Sequence, residues 1–130
     1  MPTCIETTDL TKCYGHVVAV GGLSLRIEVG EIFGLLGPNV AGKSTTLYML
    51  TGLVRPTSGT VTVFGKDLRR AFLDIAGRMG VLVERPSFYG HLTARANLLL
   101  LARLAGRGVT VDRALDRAGL LWAANRKVQT

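Results

Sequence analysis

Metal-binding and oxidisable side chains are scarce in this chain. Its 130 residues hold two cysteines, Cys4 and Cys13, and two histidines, His16 and His91. That is too few partners, too scattered, for a zinc site, and it fits a reduced, cytosolic compartment. Long apolar runs are missing as well. The longest leucine run, Leu98-Leu99-Leu100-Leu101, falls far short of the roughly 20 residues that cross a bilayer. The opening Met1-Pro2-Thr3-Cys4 has no basic, apolar, cleavable pattern, so no secretory signal is expected. Any membrane role is expected to be peripheral.

Acidic residues are in short supply, but only in one half. Residues 1–65 carry four Lys/Arg against four Asp/Glu, whereas residues 66–130 carry twelve against five, so the net charge of +7 arises entirely in the second half. A basic surface suits nucleic acid, anionic lipid or an acidic partner. Here no aromatic residues interleave with the arginines and no basic stripe forms. Arg113 and Arg117 therefore read as solvated helix faces, and no nucleic-acid partner is expected.

What the chain does have is a phosphate loop. Gly37-Pro38-Asn39-Val40-Ala41-Gly42-Lys43-Ser44-Thr45 fits G-x-x-x-x-G-K-[ST]. Backbone N–H groups curling into a helix N-terminus make an anion site, a lysine just inside the helix adds a point charge over the outer phosphates, and Ser44 offers a hydroxyl to magnesium. The flanks agree. Glu31-Ile32-Phe33-Gly34-Leu35-Leu36 reads as a short buried strand ending at the loop, and residues 44–53 place Leu47, Leu50 and Leu53 on one helix face.

Elements on either side follow from periodicity and punctuation. Residues 4–10 suggest a first strand, with a turn through Gly15; Val17 to Val20 leads to Gly21-Gly22; and Leu23-Ser24-Leu25-Arg26-Ile27-Glu28-Val29 alternates as a half-buried strand does. Arg55-Pro56-Thr57-Ser58-Gly59 is a turn by composition, and Thr60-Val61-Thr62-Val63-Phe64 is rich in β-formers. Phe72, Leu73 and Ile75 suggest a short helix within 69–76. Gly80-Val81-Leu82-Val83 reads as a buried strand delivering Glu84 to its end. Thr93 is a candidate N-cap for a helix over 94–104, although Ala96 cannot complete a capping box. Gly106-Arg107-Gly108 breaks that helix, residues 111–118 form another, and Leu120-Leu121-Trp122 is an expected apolar plug.

Leu10-Thr11-Lys12-Cys13-Tyr14-Gly15, Ala19-Val20, Leu23-Ser24-Leu25, Gly30-Glu31-Ile32, Gly37-Pro38-Asn39 and Arg55-Pro56-Thr57-Ser58-Gly59 come in an order that resembles the ATP-binding cassette family, especially cassettes that drive drug and antibiotic export. The resemblance implies an α/β P-loop NTPase fold: an N-terminal antiparallel β portion, part of the helical subdomain, and the C-terminal half of the core absent. Residues 1–92 would belong to the ATP-binding core and 93–130 to the start of the helical subdomain. The implied ligands are ATP and Mg2+. Tyr14 would stack on adenine, worth roughly 1–3 kcal/mol, residues Gly37 to Thr45 would hold the phosphates, and Ser44 and Glu84 would reach the metal. For Glu84 the plainer alternative is a loop residue paired with Arg85. Phe88 and Tyr89 would lie near the groove that receives a transporter's coupling helix. His91 is given no chemistry. The implied partners are a transmembrane transporter subunit and a second nucleotide-binding subunit, at the inner face of the cell membrane.

Two departures from the family pattern bear on activity. Val40 stands where these cassettes usually have Gly; if the loop requires φ > 0 there, a β-branched side chain costs on the order of 1–3 kcal/mol and weakens nucleotide binding by roughly tenfold. The sequence also stops before a Ser-Gly-Gly signature, a strand ending in Asp-Glu, or a switch histidine. Hydrolysis of ATP by an ABC-type ATPase depends on such groups. The competing expectation is a truncated, non-catalytic nucleotide-binding or interaction module.

Overall fold

The computed structural model describes residues 2–38, 42–106 and 110–129, which divide into two units, Met1–Val83 and Glu84–Thr130. In the first unit, β1 (Thr3–Tyr14) and β2 (Val17–Glu28) form an antiparallel hairpin closed at Gly15, whose φ of 58° suits glycine. Both strands run longer than the periodicity predicts. β2 passes straight through Gly21-Gly22: the register slips between Leu10↔Leu23 and Lys12↔Val20, and Gly22 takes φ 65° while its N–H donates to Thr11 Oγ1 at 2.9 Å. Beyond the slip, Leu23, Leu25 and Ile27 are half-buried and Ser24 and Arg26 exposed, as the alternation predicts.

β3 (Ser58–Val63) pairs antiparallel with β1, and β4 (Lys66–Asp67) with β3, giving the order β2-β1-β3-β4. Phe64 and Gly65 connect β3 to β4, both at positive φ, the twist a two-residue hairpin needs. The helices α1 (Lys43–Leu50) and α2 (Phe72–Ala76) complete the core, where Leu10, Val20, Met49, Leu50, Val61, Val63, Leu68 and Ile75 are buried together. The buried face of α1 is Thr46, Met49 and Leu50, whereas Leu47 and Leu53, expected inside, are exposed. The helix ends at Thr51, and Gly52 at φ 77° turns the chain away before Leu53 can extend the face.

The two expected buried strands are not formed. Residues 31–36 and 80–83 form no regular element and no ladder; Ile32 is 100% exposed, Leu36 94% and Leu82 74%. A central parallel strand takes its backbone bonds from neighbours on both sides, and no described strand runs along either stretch. They nonetheless share surroundings. Phe33, Leu35 and residues 81–83 line one cavity of about 300 Å³ with Leu47 and Leu50 of α1 and Ile5, Leu25 and Ile27 of the sheet.

The second unit is helical. Thr93 caps α3 (Ala94–Leu104), its hydroxyl accepting from the Ala96 N–H at 3.1 Å, and Val111 and Leu115 of α4 (Val111–Arg117), with Ala124 beyond it, pack against Ala94, Leu98 and Ala102. Arg95 Nε donates to Asp112 Oδ1 at 2.8 Å and ties the two helices. The expected Leu120-Leu121-Trp122 plug is a correction: all three are exposed, Trp122 at 69%, and it is Ala124 that fills the core. The 3-10 turn Leu121–Ala123 rotates the indole outward, where Nε1 donates to the Gly119 carbonyl at 3.1 Å and the Arg126 guanidinium lies 4.6 Å over the ring. Among the described residues no helix is long and apolar enough to cross a membrane.

Candidate functional site

Of the described phosphate-loop residues, Gly42 to Thr45 form the N-terminus of α1, and Gly37 and Pro38 meet it through Lys43. Gly42 is its N-cap, at φ 78° and ψ 17°. A Cβ at this position would meet the Ala19 carbonyl oxygen at 2.2 Å and Val20 Cγ2 at 3.0 Å. Only glycine satisfies both the left-handed backbone and the close approach to β2. The Gly42 carbonyl then accepts the Thr46 N–H at 2.8 Å and the Thr46 hydroxyl at 2.9 Å, which starts the helix in register.

Lys43 follows in the first turn. Its Nζ donates to the Gly37 carbonyl and, at 3.0 Å, to the Pro38 carbonyl, so the ammonium folds back over the first residues of the loop. Ser44 is exposed and Thr45 half-buried on the same turn. The turn itself carries no acidic residue against the positive end of the helix. Beside it, Ala19, Val20, Leu35, Leu36, Lys43 and Thr46 line a cavity of about 440 Å³. Asn39, Val40 and Ala41, and with them the expectation about Val40, lie outside the described residues.

The remaining candidates belong to other segments of the chain. Tyr14 ends β1, 50% exposed, and does not line the cavity beside Lys43. Glu84 belongs to the second unit and takes φ 59°, a left-handed backbone uncommon for a residue with a side chain. Phe88 and Tyr89 are exposed. The Tyr89 backbone is clamped by Asn97, 4% exposed, whose Oδ1 accepts the Tyr89 N–H at 2.8 Å and whose Nδ2 donates to the Tyr89 carbonyl at 3.1 Å. Among the described residues no group of three or more His, Cys, Asp or Glu gathers as a metal cluster.

Sequence reasoning passed over two residues near Tyr14. Lys12 Nζ stands 5.0 Å from the Tyr14 ring centroid and donates to the Arg55 carbonyl at 3.0 Å. Thr57 Oγ1 accepts the Cys13 N–H at 2.9 Å. The period-two geometry of a strand, which puts residues 12 and 14 on one face, was the available signal for the first.

The ABC transporter family model matches residues 20–130, a stretch that includes the left-handed Gly42 and the Lys43 turned over its own loop. The chain belongs to the ABC transporter family. Among curated relatives it is 45% identical over 122 residues to the bacitracin transport ATP-binding protein BcrA of Bacillus licheniformis, covering 92% of this chain and 40% of the relative. It is 42% identical over 117 residues to the daunorubicin/doxorubicin resistance ATP-binding protein DrrA of Streptomyces peucetius, covering 90% of this chain and 35% of the relative. The chain thus spans about two fifths of the length of the curated relatives it matches. Among solved structures, the ATP-binding subunit of an ABC transporter superposes with a TM-score of 0.79 at 25% identity, over 96% of this chain and 54% of that one. CbiO1 of Clostridium perfringens gives 0.82 at 20% identity, over 98% and 55%, a likeness of fold. The P-loop NTPase fold with its antiparallel β portion is therefore this ABC family member's fold.

Proposed function

We propose that this ABC family chain is the ATP-binding part of an export system: it binds Mg-ATP and, within a complete cassette, couples hydrolysis to movement of cargo through a transmembrane partner. The observation that carries this reading is the Gly42–Lys43 start of α1, where a glycine that tolerates no side chain brings an ammonium group over the loop carbonyls. Those carbonyls are poor partners for a cation that can reach phosphate, so an incoming triphosphate exchanges two neutral acceptors for charged ones.

The donors suit the ligand. Backbone N–H groups at the helix start, the Lys43 ammonium and the Ser44 hydroxyl are the groups a Mg-phosphate requires: donors for the phosphate oxygens and a hard oxygen for the metal. Magnesium would neutralise charge on the phosphates, and Glu84 would add a carboxylate toward it. Tyr14 would stack on the base. The transport assignment draws support from the names of BcrA, a bacitracin transport protein, and DrrA, a daunorubicin/doxorubicin resistance protein; export, the transmembrane and second nucleotide-binding partners, and residence at the inner membrane face are what the family resemblance implies.

A non-catalytic module is favoured by one observation: residues 31–36 and 80–83 form no strand ladder, so the loop stands on an incomplete sheet. An ATPase assay on the purified chain, with Lys43→Ala as control, separates the two readings. A Lys43-dependent rate rejects the inert module, and nucleotide binding without turnover supports it.

A further inference from the structure

The end of β1 that carries Tyr14 is fastened on one side by the turn after α1. The Thr57 N–H donates to the Thr11 carbonyl at 2.8 Å, the Cys13 N–H to Thr57 Oγ1 at 2.9 Å, and Lys12 Nζ to the Arg55 carbonyl at 3.0 Å. On its other side Cys13 pairs with Val18 and Tyr14 with Val17. Three successive residues before Tyr14 are thus anchored to Arg55 and Thr57. Gly59 completes the fit: a Cβ there would meet the Asp9 carbonyl at 2.4 Å, so the turn lies tight against β1.

Lys12 also acts on the aromatic ring. Its ammonium lies 5.0 Å from the Tyr14 centroid, within the range at which a cation is drawn to a ring face. No carboxylate among the described residues forms an ion pair with Lys12, so nothing there competes for the charge. With its position fixed by a backbone carbonyl, the cation can cover one face of a ring that is half exposed.

We propose that Lys12 is a positioning residue for base recognition: pinned on the Arg55 carbonyl, its ammonium holds the Tyr14 ring with one face covered and presents the other to the adenine of ATP. The proposal rests on the reading of Tyr14 as the adenine-stacking residue. It gives the Arg55-Pro56-Thr57 segment a task, that of bracing the aromatic.

The test is calorimetric titration of the purified full chain and its Lys12→Met, Lys12→Arg and Tyr14→Ala variants with Mg-ATP and, separately, with magnesium tripolyphosphate, which has no base. Lys12→Met is expected to weaken ATP binding by roughly two- to fivefold and leave tripolyphosphate binding unchanged, with Lys12→Arg restoring most of the loss. A purely structural role would lower both affinities together, and that result overturns the proposal. If Tyr14→Ala weakens ATP binding while Lys12→Met does not, the proposal fails and base stacking survives. If Tyr14→Ala binds ATP like the parent, the stacking reading fails and takes the proposal with it.

Discussion

Glycine at position 42 carries two demands at once, as Gly52 and Gly59 also do. Its backbone is left-handed and the Ala19 oxygen sits 2.2 Å from where a Cβ would project. Gly80 has neither restriction, with open space around it and no positive φ. Gly42→Ala is therefore expected to lower the stability of the first unit by about 1–3 kcal/mol and to weaken ATP binding, whereas Gly80→Ala leaves the urea midpoint nearly unchanged. Equal midpoints for the two variants would remove the close-approach argument. Val40 invites the opposite experiment: relief of a β-branched side chain in the loop by Val40→Gly is expected to tighten ATP binding roughly tenfold, and coincident titration curves would dismiss the expected strain.

Among the elements, local signals were legible where local chemistry sets the structure. Thr93 could be read as an N-cap because its hydroxyl needs only the Ala96 N–H, three residues on. Gly15, Gly52 and Gly106 all take positive φ at the ends of elements. The errors arose where distant partners decide. The apolar runs at 31–36 and 80–83 carry the composition of buried strands, yet a ladder cannot form without neighbours. Trp122 looked like core by hydropathy, but a 3-10 turn and the Arg126 guanidinium hold it outside. Asn97 escaped notice because a polar residue inside an apolar helix has no sequence mark of the loop it will clamp. Its role makes a prediction: Asn97→Ala leaves the Tyr89 N–H and carbonyl without their side-chain partner at a cost of about 1–3 kcal/mol, more than the roughly 1 kcal/mol of Thr93→Ala. Amide exchange should accelerate at Tyr89 in the first variant and at Ala96 in the second; unchanged exchange at Tyr89 would show that other contacts hold the loop.

At the scale of the molecule, one surface pair among the described residues links stability to acid pH. The Lys66 ammonium donates a hydrogen bond to Asp74 Oδ2 and, with its charge and that of Arg78, holds the Asp74 carboxyl below its ordinary value. A folded carboxylate that is harder to protonate than the unfolded one stabilises the fold above the ordinary aspartate range and loses that contribution as pH falls through the lower, folded value. Both side chains are about half exposed, so salt screens the effect. An NMR titration should show the Asp74 midpoint returning upward in Lys66→Met; an unmoved midpoint would refute the pairing.

At the start of α1 the Lys43 ammonium lies over the loop carbonyls, and the proposed function assigns it to the phosphates of ATP. Calorimetric titration of the purified chain with Mg-ATP, run beside Lys43→Ala, addresses it directly. Saturable heat from the parent that disappears in the variant is the predicted result. No heat from the parent at millimolar nucleotide, or equal heat from both proteins, would contradict the account.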